Sequence, residues 1–127
     1  MIESILGKDF VLHHVGIAVP NLQNYYQGQE IITDHQQGVN IKFEMLGNVR
    51  LELLQPTDEN SFIYQSSKNK QKVLHLCFEV NDLDTALAQV KKIGFHVLRY
   101  PVSTNVFPGQ RITWLFHPIY GLIELLS

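Results

Sequence analysis

One pattern of alternating hydrophobic and polar residues occurs twice along the chain. The first copy reads His14-Val-Gly-Ile-Ala-Val19, and the second reads His75-Leu-Cys-Phe-Glu-Val80. The alternation, and the β-branched and aromatic residues within it, predict a β-strand in each copy. In both copies the histidine stands five residues before the closing valine. Successive side chains of a strand point to opposite faces, so both histidines are expected to begin a strand on the equivalent face.

A helix is expected after each of these strands. In the second copy, Asn81 or Asp82 can cap a helix and Gly94 can end it, while apolar residues recur at helical spacing between them. These apolar residues are Leu83, Ala86, Leu87, Val90 and Ile93. The helix expected in the first copy, around Asn21 to Gln27, is shorter and less periodic.

Three further strands are predicted in each half of the chain. They cover about residues 30–36, 39–46 and 49–55 in the first half and 95–102, 111–116 and 122–126 in the second. Glycine-containing turns separate them. Residues 57–72 join the halves, with a short helix near 61–67. The prediction is an α+β fold in which the order β-α-β-β-β occurs twice. The whole chain, 1–127, forms one domain with pseudo-repeated halves at about 10–68 and 69–127.

Bulk composition limits the classes of function. The chain has 127 residues, 45% of them hydrophobic, which is the composition of one globular domain. A net charge of -2 without long runs of like charge argues against nucleic-acid or membrane partners and favours a small-molecule or protein partner; a small-molecule substrate is the partner that we expect. The single cysteine excludes an internal disulfide. Because the chain shows neither a signal-peptide pattern nor a membrane-length apolar run, we expect a soluble cytoplasmic protein.

The two halves also end alike, and the match identifies candidate metal ligands. Leu51-Glu52-Leu-Leu closes the first half and Ile123-Glu124-Leu-Leu closes the second. A lone strand histidine is more often a hydrogen-bonded structural residue, and a lone strand glutamate usually faces solvent. Two histidines and two glutamates in a two-fold pattern instead suit one divalent first-row ion with positions open for water or substrate. His13 is an alternative to His14, but the register of the repeat selects His14.

Other residues are weaker candidates. Cys77 lies in the middle of a predicted strand with no basic residue implied beside it, which favours a buried structural thiol. Most of the aromatic side chains are expected to pack in the core or on the surface. Phe107, beside Pro108-Gly109, is the aromatic residue that we expect to affect ligand preference.

Together these motifs resemble the vicinal oxygen chelate superfamily, which includes glyoxalase I, bleomycin-resistance proteins and extradiol dioxygenases. The resemblance rests on His14-Val-Gly-Ile-Ala-Val-Pro-Asn-Leu, Leu51-Glu-Leu-Leu-Gln-Pro, His75-Leu-Cys-Phe-Glu-Val-Asn-Asp, Phe116-His-Pro and Ile123-Glu-Leu-Leu. It covers about residues 13–126 and is strongest to the methylmalonyl-CoA epimerase branch. It implies paired βαβββ modules in a cupped, incomplete barrel.

The resemblance also implies a site and an activity. The family's ligands correspond to His14, Glu52, His75 and Glu124, holding one divalent ion (Co, Ni, Zn, Mn or Fe). The implied enzyme is a metal-dependent isomerase (epimerase) or a lyase of the lactoylglutathione lyase type. It stabilises an enolate of a small carbonyl or acyl-CoA-like substrate. The resemblance leaves the identity of that substrate open. Glu124 is the first candidate for the catalytic base and Glu44 the second. The alternative is a non-catalytic small-molecule binding protein of the bleomycin-resistance type. A homodimer is implied by the family alone.

Overall fold

The computed structural model describes residues 4–26 and 30–127, and these contain eight strands and two helices. The chain divides into two compact units. The first unit is residues 14–74, and the second is residues 75–127 with the described N-terminal residues up to His13. The elements are β1 (Val11–Ala18), β2 (Ile32–Asp34), β3 (Val39–Leu46), β4 (Val49–Pro56), α1 (Tyr64–Lys68), β5 (Val73–Glu79), α2 (Leu83–Lys91), β6 (His96–Ser103), β7 (Arg111–His117) and β8 (Gly121–Leu126).

In the first unit the strand order is β2-β3-β4-β1. β1 runs parallel to β4, whereas β3 is antiparallel to both β2 and β4. The register sets Gly16 of β1 and Phe43 of β3 opposite Glu52 of β4. Partners in register point to the same face, and so does every second residue along a strand. His14, Phe43 and Glu52 therefore share one face, together with the buried Leu54.

In the second unit the strand order is β5-β8-β7-β6. β5 runs parallel to β8, and β7 is antiparallel to β8 and β6. Helix α2 packs its apolar side on one face of these strands, in a buried cluster. The cluster comprises Val80, Leu83, Ala86, Leu87, Val90, Phe95, Leu115, Ile123 and Leu125. The opposite face carries His75, Cys77 and Glu124, which are also buried.

The predicted start and end of helix α2 are confirmed at Asp82 and Gly94. The Asp82 carboxylate accepts hydrogen bonds from the backbone N–H and the hydroxyl of Thr85, at 2.9 and 2.6 Å. The hydroxyl bond, followed by the backbone bond, lowers the pKa of Asp82. Gly94, just past the helix, has a φ of +94°, a conformation that glycine adopts without strain.

The helix predicted around Asn21 to Gln27 is wrong over the described residues 21–26. Those residues form a single turn, in which the N–H groups of Tyr25 and Tyr26 donate to the Leu22 carbonyl at 3.0 and 2.9 Å. Leu22 is fully buried, but Tyr25 is 71% exposed, so the segment has no continuous apolar side to hold a helix in place. Gln27 lies outside the described residues.

The other differences are in length. β2 has three residues instead of the predicted seven, because the Asp34 carboxylate accepts from the N–H groups of Gln36 and Gln37 and turns the chain. β1 and β5 begin at Val11 and Val73, so each histidine lies inside its strand and does not start it. Among the described residues, no helix is long and apolar enough to cross a membrane.

Candidate metal centre

The first unit holds a buried histidine–glutamate pair. His14 Nε2 lies 3.6 Å from a carboxylate oxygen of Glu52. The pair forms because β1 and β4 are parallel with Gly16 opposite Glu52, which leaves His14 one pleat away on the same face. Both residues are buried, at 0% and 4% exposure. Their environment is therefore shielded from solvent, and the glutamate requires a compensating partner there.

The second unit holds an equivalent pair. His75 Nε2 lies 3.5 Å from a carboxylate oxygen of Glu124. Here β5 and β8 are parallel with Cys77 opposite Glu124, and His75 is again two residues before that partner. Both side chains are buried. The two units thus build the same pair from the same strand register.

An aromatic ring accompanies each pair. Phe43 lies directly opposite Glu52 in the antiparallel β3–β4 pairing, and its ring meets His14 edge to face at 6.1 Å between centroids. Trp114 lies directly opposite Glu124, and its ring meets His75 edge to face at 4.8 Å. Sequence reasoning offered Trp114 only as one of several aromatic residues that could line a pocket, did not single out Phe43, and placed neither ring beside a histidine. Their positions in the third strand of each βαβββ repeat, opposite the glutamate, are the signal that could have identified them.

The donor set fits a divalent metal ion. Two ligands with bonds of about 2.0–2.2 Å to one ion, at about 90–110° to each other, lie about 3–3.6 Å apart. The separations of 3.6 and 3.5 Å within the pairs reach this range. Imidazole nitrogen and carboxylate oxygen together suit first-row ions such as Zn, Co, Ni, Mn and Fe. The four buried residues His14, Glu52, His75 and Glu124 are therefore candidate metal ligands.

Glu44, the second candidate for a catalytic base, lies elsewhere. It is the neighbour of Phe43 in β3 and pairs with Leu51, so it points away from the face that carries Glu52. On that side its carboxylate accepts a hydrogen bond from the Tyr26 hydroxyl. Desolvation of this hydroxyl is the main reason why the pKa of Tyr26 is raised, and the hydrogen bond to Glu44 and the charge of Glu44 raise it further. The geometry does not support a catalytic role for Glu44, and we do not carry that role forward.

Two further candidates are placed by the structure. His13, the alternative to His14, is half-buried, meets the Phe107 ring at 5.2 Å between centroids and has a ring nitrogen within 4.8 Å of the Cys77 sulfur. Cys77 is fully buried, as predicted, and packs with Ile112 and Leu126.

Comparison with known proteins gives the family. The model of the Glyoxalase/Bleomycin resistance protein/Dioxygenase superfamily matches residues 13–114. The chain belongs to this superfamily. The predicted resemblance is confirmed, and so is the predicted α+β fold class, since solved members of the family superimpose on this chain.

The relatives and solved structures include several methylmalonyl-CoA epimerases. The chain is 36% identical to the human mitochondrial enzyme over 118 residues, 84% of this chain and 66% of the human protein. The chain thus spans just under two thirds of that relative. It is 34% identical to an ethylmalonyl-CoA/methylmalonyl-CoA epimerase of Cereibacter sphaeroides, over 68% of this chain and 73% of the relative. A variant Streptomyces coelicolor methylmalonyl-CoA epimerase, in complex with 2-nitronate-propionyl-CoA, superimposes with a TM-score of 0.71 at 28% identity. That superposition covers 94% of this chain and 97% of the other.

Proposed function

We propose that this protein is a metal-dependent epimerase of an acyl-CoA substrate that carries a proton next to the thioester carbonyl. The observation that carries the proposal is the buried His–Glu pair built twice with one register, in a chain whose relatives are methylmalonyl-CoA epimerases. Structural histidines and glutamates have no need to recur at equivalent positions of both repeats. A shared ligand would explain why they do.

We further propose that the two pairs, His14–Glu52 and His75–Glu124, hold one divalent ion together. One pair alone offers two protein ligands, whereas stable sites of this kind take three or four. Both pairs have the same residue types and nearly equal internal distances. When bound, the ion would supply a Lewis acid that stabilises negative charge on the substrate's carbonyl oxygen.

The chain's own residues would do the rest. His14 and His75 would present Nε2 as neutral donors, and Glu52 would stay a ligand throughout. Glu124 is our candidate base: its carboxylate would take the proton from the carbon next to the thioester carbonyl. The C–H electron pair would pass to the carbonyl as an enolate. A water molecule on the opposite face of that carbon would then donate a proton to it, and Glu124 would release its own proton to solvent, which completes the epimerisation.

Isotope exchange tests this proposal. The metal-replete protein would be incubated with methylmalonyl-CoA in D₂O, and the proton at carbon 2 followed by NMR. We expect that proton to be lost much faster than without protein, and exchange to stop after chelation. The matched control is Glu44→Gln, because Glu44 lies on the opposite face of β3, and it should exchange at the wild-type rate.

The rival function is that of a non-catalytic binding protein of the bleomycin-resistance type. It would be favoured if the metal-loaded protein bound the acyl-CoA but left the carbon-2 proton in place. Lyase activity, homodimer assembly and a cytoplasmic location stay predictions. So does the grouping of residues 1–127 into one domain.

A further inference from the structure

The Trp114 indole reaches across one strand to meet His75. Trp114 stands on β7 and His75 on β5, and β8 lies between these two strands. The backbones of β5 and β7 are therefore separated by two strand spacings, about 9.6 Å. Yet the centroids of the two rings are only 4.8 Å apart, and the ring planes make an angle of 84°. The rings thus meet over β8, on the face that carries Glu124.

This ring contact restrains the His75 side chain. Trp114, His75 and Glu124 are all buried, and a close-packed interior leaves a side chain little room to move. An imidazole in open surroundings rotates among several staggered positions about its Cα–Cβ bond. Because the indole fills the space beside the imidazole, His75 keeps the rotamer that sets Nε2 3.5 Å from the Glu124 carboxylate.

The equivalent contact in the first unit is looser. The Phe43 and His14 rings lie 6.1 Å apart between centroids, at an angle of 73°. Phe43 is half-buried, whereas Trp114 is buried. A smaller and more distant ring makes fewer atomic contacts, so it restrains its neighbour less. The two histidines therefore differ in how firmly an aromatic ring holds them.

We propose that Trp114 is a positioning residue that orients His75 for the metal ion. This proposal rests on the function proposed above, because that function makes His75 a ligand of the ion. A ligand that is already held in its binding rotamer loses less conformational freedom when the ion binds. Trp114 would act through the shape of the indole and its edge-to-face contact with the imidazole, without touching the ion.

Cobalt binding tests this role. Co²⁺ would be titrated into metal-free protein in competition with a chromophoric chelator, and the visible absorption of the bound Co²⁺ would be recorded. The proteins would be the wild type, Trp114→Leu, Trp114→Phe and Leu115→Val. Circular dichroism would establish that each variant is folded during the titration, and Trp114→Met would replace a Trp114→Leu variant that did not fold.

Leu115→Val is the matched control. Leu115 is the next residue of β7 and is fully buried, but it pairs with Ile123 and packs in the cluster around α2. Its side chain therefore lies on the face opposite Trp114. The Leu115→Val substitution perturbs the packing of the same strand without altering the ring beside His75.

We expect Trp114→Leu to bind Co²⁺ about tenfold more weakly than the wild type, the lower end of what the loss of a ligand-orienting neighbour costs. The absorption of the bound Co²⁺ should also change, because His75 would no longer hold one orientation. Trp114→Phe keeps an aromatic ring and should bind Co²⁺ within about threefold of the wild type. Leu115→Val should match the wild type in both affinity and absorption.

Three results would overturn the proposal. Wild-type affinity and absorption in Trp114→Leu would overturn the role of Trp114 alone. An equal loss of affinity in Leu115→Val would do the same, because the effect would then come from the packing of β7. A wild type that binds no Co²⁺ would overturn the proposed function and this inference together.

Discussion

The two units reach the same local geometry from different surroundings. In the second unit, α2 covers one face of the strands and a large apolar cluster anchors them. In the first unit, a single turn stands at residues 21–26 where the second has its helix, and β2 has three residues. Yet the histidine–glutamate distances are 3.6 and 3.5 Å. In each unit the glutamate pairs with the residue two positions after the histidine. The parallel strand register, not the helix, therefore sets the pair.

The units differ more in what surrounds each pair. The Trp114 ring lies closer to His75 than the Phe43 ring does to His14. Trp114 also pairs with Arg99 of the neighbouring strand β6. Cys77, which pairs with Glu124, forms an apolar group with Ile112 and Leu126 on the face that carries Glu124. Val102 and Phe107 pack on this group. Under the proposed function, these surroundings assign to the second unit the residues that contact the reacting part of the substrate.

The largest expected effect is a difference in proton-exchange rate between variants of the two glutamates. Glu124→Gln should slow proton exchange at carbon 2 by about 10²–10⁴-fold, the usual contribution of a general base. Glu52→Gln keeps an oxygen donor and should slow it far less. Both variants would be measured by NMR in D₂O at saturating metal. Equal losses would mean that the units contribute symmetrically and that Glu124 is not the base.

The next effect concerns helix α2 of the second unit. Leu83→Ala removes a fully buried side chain of α2 and should lower the free energy of unfolding by about 2–5 kcal/mol. Ile119→Ala, at a side chain 78% exposed, is the control and should change it by less than about 0.5 kcal/mol. Urea denaturation measures both. If Leu83→Ala behaved like the control, α2 would not anchor the second unit.

A smaller effect should come from the apolar group beside Glu124. Phe107 is half-buried and packs on Cys77, Ile112 and Leu126. Phe107→Ala should shift the preference between methylmalonyl-CoA and ethylmalonyl-CoA toward the larger acyl group, by about tenfold. Its melting temperature should fall less than that of Leu83→Ala. A large thermal destabilisation with unchanged preference would show that Phe107 is a core residue only.

The smallest effect is the pH dependence of the helix cap in the second unit. Hydrogen bonds from the Thr85 side chain and backbone lower the pKa of Asp82 in the folded protein. Ionised Asp82 therefore stabilises the fold above the unfolded pKa of about 3.9. That stability is lost as the pH falls through the lower, folded value. In Asp82→Ala, thermal unfolding should vary less with pH between about 5 and 2 than in the wild type. If Asp82→Ala and the wild type showed the same pH profile, Asp82 would not stabilise α2 as an ionised cap.

The sequence predicted the parts of the fold whose signals are local. Helix α2 has a cap, a period and a terminator, and β3 was placed at its observed bounds because Gly38 and the Gly47-Asn48 turn enclose it. The first helix was wrong because Leu22 is the one buried side chain among residues 21–26. The pairing of Trp114 with Glu124, and of Arg99 with Trp114, depends on strand register and on a bulge, which alternation within one strand does not reveal.

Metal stoichiometry tests the central claim, that both units hold one ion together. The wild type, His14→Ala and His75→Ala would be purified without a metal-chelating tag, and their bound metals measured by elemental analysis. We predict about one divalent ion per chain in the wild type, and a sharp loss in both variants, because each removes a ligand of the same ion. An ion retained in full by either variant, or a metal-free wild type that takes up no added ion, would contradict the claim.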